Sequence, residues 1–300
     1  MDPSLPTAMD RPPSPSRPRL VVCADDYAFT PGVSRGIREL LAARRISATS
    51  VMTVSEFWPD EAPALAAVAG PADIGLHVTL TDQRPLGTMQ TLAPDGRLPP
   101  IARLFRAGLL RRLPLAEIEA EIERQIAAFV AHYGRPPAHI DGHHHMNQLP
   151  GVREIVVRAA RTMGGGTWVR SCAEPPSQVV RRGISVAKAL VIGSLGPAVS
   201  RAAARAGVPV NHGFSGAYDF AAEARPVADL FARFVSGADE NAVVMCHPGY
   251  ADAALAARDP MVNAREAELA YLMSDAWPRL LAGHGLELGP LRRETAIASD

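Results

Sequence analysis

Strand-length apolar runs alternate with helix-length segments along almost the whole of this chain. That alternation restricts the fold to a parallel sheet wrapped by helices. Leu20–Ala24, Ala48–Thr53, Ile74–Thr79, His139–Asp141, Thr167–Arg170, Ala242–Cys246 and Leu286–Leu288 read as strands, with Val208–Asn211 a further candidate. Thr30-Pro31 offers a helix cap followed by proline at the first helical position, with a helix to about Ala43. Further helices are expected at Pro59–Ala69, Ala116–Tyr133, Val152–Met163, Ala221–Phe234 and Asn263–Ala276. The strongest is Ala116–Tyr133, where Ile118, Ile122, Ile126 and Phe129 make one apolar stripe ended by Gly134. Residues 81–100 read as a long loop rich in Gly, Pro, Thr and Asp, and 173–207 as helical and partly excursive. Roughly seven or eight strand–helix units favour closure over an open sheet. The expected fold class is therefore α/β, a (β/α) barrel-like fold with parallel strands in a single domain.

At 300 residues and 47% hydrophobic, the chain can fill one such core. Residues 1–18 are rich in Pro, Ser and Arg, lack a signal peptide's apolar stretch, and read as a disordered tail, leaving 19–300 as the domain. No run of about 18 apolar residues marks a membrane span; residues 187–199 come closest, interrupted by Gly193, Gly196 and Pro197. Basic and acidic residues balance at 31 each with no basic run, which argues against a nucleic-acid partner. Cys23, Cys172 and Cys246 are too far apart for a CxxC motif, and Cys23 and Cys246 sit in apolar runs as buried thiols. That usage points to a reducing cytoplasm. The oligomeric state stays open, a homodimer included.

The acids and histidines fall where such a barrel would use them. Leu20–Ala24 runs into Asp25-Asp26, Ile74–Leu76 into His77, His139–Gly142 into His143-His144-His145, and Val243–Cys246 into His247-Pro248-Gly249. Each polar group follows an apolar strand at its C-terminal end, the rim where barrel active sites assemble. An Asp with two His is a ligand set for a divalent ion that leaves positions open for water and substrate. Such an ion acidifies bound water and polarises a carbonyl. A second carboxylate can take the proton from water, and a further histidine can protonate a leaving amine. Amide hydrolysis needs both.

Each motif also has a plainer reading. Asp25-Asp26 could cap a helix, but Thr30 already does so, and two carboxylates after a buried strand are costly without partners. Taken alone, His77 reads equally well as a satisfied core histidine; it shares a strand face with Gly75 and Thr79, opposite Ile74, Leu76, Val78 and Leu80. By period two, His139, Asp141, His143 and His145 share one face and His144 points elsewhere. His247 could be a turn residue before Pro-Gly. His132, His212 and His284 read as incidental.

Together these elements resemble the YdjC/ChbG family of carbohydrate deacetylases, which includes hopanoid-biosynthesis-associated members. The resemblance is carried by Ala24-Asp25-Asp26-Tyr27, Thr30-Pro31-Gly32-Val33, Arg35-Gly36-Ile37, Gly75–Leu80, Gly134–Pro137 with His139–His145, and Met245–Tyr250. It implies a (β/α) barrel-like fold, a divalent metal (Mg2+ or Zn2+) and removal of acetyl from small N-acetylated saccharides. Carried over, Asp26, His77 and His143 look like the metal ligands, Asp25 the catalytic base and His247 the general acid. Arg170, Asn147 and His145 are expected to bind substrate, Arg170 with an orienting contact as the other reading. Two departures stand out: Tyr27-Ala28 where relatives often carry Phe-Gly, and Asn147 where many carry a further His. Other readings are a metal-dependent hydrolase of a phosphoester or cyclic amide, a non-catalytic sugar-binding protein, and a purely structural metal with four protein ligands.

Overall fold

A computed structural model describes residues 17–220, 225–259 and 261–292. The elements run β1 (Arg19–Tyr27), α1 (Pro31–Ala42), β2 (Ala48–Val51), α2 (Trp58–Val68), β3 (Asp73–Val78), α3 (Ile101–Leu109), α4 (Leu115–Tyr133) and β4 (His139–Gly142). A 3-10 turn (His143–Gln148) leads into α5 (Val152–Met163), β5 (Trp168–Val169), α6 (Pro176–Arg182), α7 (Val186–Ala206) and β6 (Phe214–Ser215). The chain continues with α8 (Val227–Val235), β7 (Ala242–Cys246), α9 (Ala253–Ala256), α10 (Val262–Met273), α11 (Ala276–Gly283) and β8 (Glu287–Leu288).

Neighbouring strands are all parallel, in the order β5-β4-β3-β2-β1-β7-β6, with β8 beside the start of β1. The two ends of that path meet. Val210 bridges to Val169 of β5, and four residues later β6 pairs with β7, so one stretch of chain joins both edges into the expected barrel. The strand expected at Val208–Asn211 is reduced to that one bridge, and the regular pairing falls at Phe214–Ser215. Three helices escaped the sequence reading: α3, the four-residue α9, and α11, which Ser274 separates from α10 by leaving helical geometry at ψ 161°. The start of the helix expected at Ala221–Phe234 and most of the 1–18 tail lie outside the described residues.

Alternation along the strands sorts the side chains into two layers. Leu20, Val22, Ala24, Ile74, Leu76, Ile140 and Val244 pack under the helices. Val21, Cys23, Ala48, Trp168, Phe214, Val243 and Met245 fill the barrel, with Leu291 from the C-terminal segment among them. Thr30 caps α1, accepting from Val33 N at 3.3 Å. The 81–100 loop is held by α4: Glu121 accepts from Leu86 N and Gly87 N, and Glu117 from Thr91 N and Leu92 N. That anchoring fixes Asp82 and Gln83 at the barrel mouth.

Gly75 sits where no side chain fits. His139 stacks on Trp168 with ring centroids 4.4 Å apart, and a Cβ at Gly75 would lie 2.3 Å from the His139 ring. Gly75→Ala is expected to lower unfolding stability by about 1–3 kcal/mol, the usual cost of overpacking a filled core. Urea unfolding checks this, and an unchanged midpoint would mean that His139 has room to move.

Candidate active site

Strand β1 delivers two adjacent carboxylates to one place by breaking its own alternation. Asp25 follows Val21 and Cys23 inward. Asp26 should face the helices, but its backbone takes the left-handed conformation at φ 69°, and its carboxylate joins the same cluster. Ala28 is left-handed too, at φ 70°. That is a conformation glycine adopts freely, so Tyr27-Ala28 keeps the backbone course that Phe-Gly would allow, with strain at Ala28.

The three residues expected to hold metal meet. One ligand atom each from Asp26, His77 and His143 lies within 4.8 Å of the other two. Asp26 Oδ1 is 3.4 Å from His77 Nε2 and 3.2 Å from His143 Nδ1. It is buried and makes no hydrogen bond, while Oδ2 accepts from Arg265 at 2.7 Å. A carboxylate oxygen left bare against two imidazole nitrogens suits a cation. The spacing also suits one: donors around tetrahedral zinc stand roughly 3.3 Å apart, given metal–ligand bonds of about 2.0–2.1 Å.

Electrostatics set the resting charge of each group. Burial disfavours the charge on Asp26, but Arg265 and then His143 outweigh it and keep the carboxyl well below the usual range. Burial likewise opposes charge on His77, yet Asp141 and Asp25 raise it to about 10 in the absence of an ion. Asp25 is gripped by Arg170, with Nη1 donating to Oδ2 at 2.6 Å and Nη2 to Oδ1 at 2.7 Å. Against the cost of burial, that guanidinium and then His77 lower the Asp25 pKa.

A cavity of about 830 Å³ opens above the cluster, within the range of small-molecule sites. Asp25, Asp26, His77, His143 and His247 line its polar side, and Ile101, Phe105, Val191, Ile192 and Leu195 from α3 and α7 form an apolar wall. His247 enters from the end of β7; burial holds its imidazole neutral down to about 4, and Nδ1 has no hydrogen-bond partner. His145 also lines the cavity, its Nδ1 3.5 Å from Cys172 Sγ.

Two expected substrate contacts are placed differently. Arg170 is 1% exposed and its guanidinium lies on Asp25 and Asp141, so it orients carboxylates and does not face the cavity. Asn147 is equally buried and donates to the Arg170 carbonyl at 3.0 Å. Arg170 thus takes the orienting contact that was its other reading, and both placements have one physical reason: a polar side chain this deep is hydrogen-bonded within the protein. His144 differs as well. Period two ends at Gly142, because His144 and His145 turn left-handed at φ 56° and 60°, and His144 reaches the cavity with Nδ1 hydrogen-bonded to Thr81 Oγ1 at 2.8 Å. His132, His212 and His284 do not line the cavity.

Sequence reasoning missed Arg265, which lies in the first turn of α10 with no local signal and bridges Asp26 to Asp259, each at 2.7 Å. It missed Ser50, which joins His139 and Asp141. Asp141 had a signal, since it shares the face of His139 and His143.

A parallel α/β barrel whose carboxyl rim gathers one carboxylate and two imidazoles around a point is a barrel protein with a metal-competent rim site. The chain belongs to the YdjC-like protein family, whose profile matches residues 19–283. It is 37% identical to a chitooligosaccharide deacetylase of Serratia marcescens over 146 residues, 48% of this chain and 56% of that protein. It is 31% identical to a human carbohydrate deacetylase over 187 residues, 56% of this chain and 57% of that one. The chain therefore spans little more than half the length of the curated relatives it matches. A crystal structure from Enterococcus faecalis V583, of a protein named for cellobiose-phosphate cleavage, superimposes with a TM-score of 0.68 at 21% identity, covering 91% of this chain and 97% of that one. That likeness shows the fold.

Proposed function

We propose that this protein is a metal-dependent carbohydrate deacetylase that hydrolyses the acetamide of N-acetylated saccharides. The observation that carries this reading is the convergence of Asp26, His77 and His143 beside Asp25, in a cavity that His247 also lines. The names of the Serratia and human relatives support the substrate class.

A divalent ion held by Asp26, His77 and His143 would polarise the acetamide carbonyl and acidify water. Two imidazoles with one carboxylate favour zinc over magnesium. Asp25 is the base: the Arg170 fork keeps it ionised and aimed, ready to take a proton from water. His247 is the donor to the leaving amine. Its resting imidazole is neutral, so it first takes up a proton, replacing the one that Asp25 removes from water, and negative charge developing on the attacked carbonyl raises its affinity for that proton. His145 and His144 stand at the cavity wall as hydrogen-bonding partners for sugar hydroxyls.

Phosphoester hydrolysis fits less well. Arg170 and Arg265 are both engaged by carboxylates, which leaves no guanidinium pair beside the cluster, among the described residues, to cradle a phosphate. The three cysteines are free and buried, which supports a reducing cytoplasm. No helix among the described residues is long and apolar enough to cross a membrane.

The test is acetate release from a panel of N-acetylated glycans, with and without a chelator. Activity should vanish on chelation and return with added zinc. Turnover that persists with no detectable metal, or phosphate release in place of acetate, would end this reading.

A further inference from the structure

Asp141 lies beneath the cavity floor and is fully buried. Its Oδ1 accepts from His77 Nδ1–H at 2.6 Å. Its Oδ2 makes an ion pair with Arg170, 2.6 Å from Nη2, and accepts from the Ser50 hydroxyl at 2.5 Å. Ser50 Oγ lies 2.9 Å from His139 Nε2; because the Ser50 proton goes to Asp141, His139 is the donor in that contact. The chain of donors thus runs one way, toward Asp141.

His77 is the partner whose proton placement matters. A neutral imidazole carries its proton on either nitrogen, and the hydrogen bond at one decides what the other offers. An ionised carboxylate only accepts. In the neutral form that a ligand must take, Asp141 therefore draws the one remaining proton to Nδ1 and leaves the Nε2 lone pair facing Asp26 Oδ1 at 3.4 Å. Two acceptors opposed in a buried site are satisfied by a cation between them. Asp141 also belongs to two other groups with ligand-like spacing, Asp25–His77–Asp141 and Cys23–His139–Asp141. The Arg170 guanidinium already supplies the positive charge between Asp25 and Asp141, which disfavours an ion there.

We propose that Asp141 is the positioning residue of the metal centre, holding His77 in the Nδ1–H tautomer so that Nε2 is presented to a divalent cation. The inference rests on the metal-site part of the reading above and not on which substrate is cleaved. Such outer partners of ligating histidines typically change metal affinity by 10–100-fold when replaced.

Asp141→Asn supplies the test. Arg170 has only donors, so the asparagine oxygen must face it and the amide N–H2 must face His77. The His77 proton then moves to Nε2, into the ion's place. Zinc affinity of the full chain, measured by competition with a chelating dye, should fall about 10–100-fold. Histidine 15N–1H NMR of the zinc-loaded wild type should find His77 protonated at Nδ1 and metal-bound at Nε2. That measurement decides the matter by itself if Asp141→Asn fails to fold, since ligation of zinc through Nδ1 overturns the proposal. Unchanged zinc affinity in a folded Asp141→Asn overturns it too and leaves the metal site standing. A wild type that binds no zinc overturns both.

Discussion

His77→Ala should abolish zinc binding and turnover together. His77 is one of three converging ligands, and nothing else among the described residues stands ready to replace its Nε2 at the 3.4 Å it keeps from Asp26. Four-ligand structural zinc sites bind with about 10–16 kcal/mol, so one ligand is worth roughly 3 kcal/mol and its loss at least about 100-fold in affinity. The substitution also strips Asp141 of a 2.6 Å hydrogen bond in a fully buried position, which compounds the loss. Metal content after dialysis and acetate release on the same sample read the two effects. Stoichiometric metal in folded His77→Ala would put the ion somewhere other than this cluster.

Asp25→Asn should do the opposite: keep the metal and lose the chemistry. Asparagine has the same shape but cannot take a proton, and removal of a positioned base lowers kcat by about 10²–10⁴. Of the two hydrogen bonds from Arg170, the amide can accept only one, so stability should also drop by about 1–3 kcal/mol for the donor left unpaired. The comparison is kcat against zinc stoichiometry at a temperature well below unfolding. Loss of metal with this substitution, and retention with Asp26→Asn, would exchange the roles of the two aspartates.

Much of this arrangement was legible in the sequence because strand periodicity and strand-end chemistry are local signals. Asp25, His77, His143 and His247 each follow an apolar run, and a barrel brings such ends to one rim. What escaped is what periodicity does not encode. Asp26 was named as a ligand only through the family resemblance: it reaches the cluster through its left-handed backbone, and alternation alone puts it on the wrong face. His144 reaches the cavity because the chain leaves the strand at Gly142 and turns. Arg170 and Asn147 were expected to meet substrate because they lie near the right motifs, yet both side chains satisfy buried partners, and no pattern in one dimension gives depth. Arg265 bonds Asp26 from 239 residues away. α3 was missed for a related reason: its short amphipathic run begins directly after a Pro-rich loop, with Pro100 at its cap position and no capping side chain.

The cluster also carries a charge balance. The carboxylates of Asp25, Asp26, Asp141 and Asp259 are held by just two guanidiniums, those of Arg170 and Arg265. With the imidazoles neutral, as ligands must be, two negative charges are left over at the cluster. Electroneutrality there calls for a guest of valence two. Sodium or potassium would leave the cluster anionic, so on the reading proposed above the residue count itself favours a divalent guest before any question of bond geometry arises.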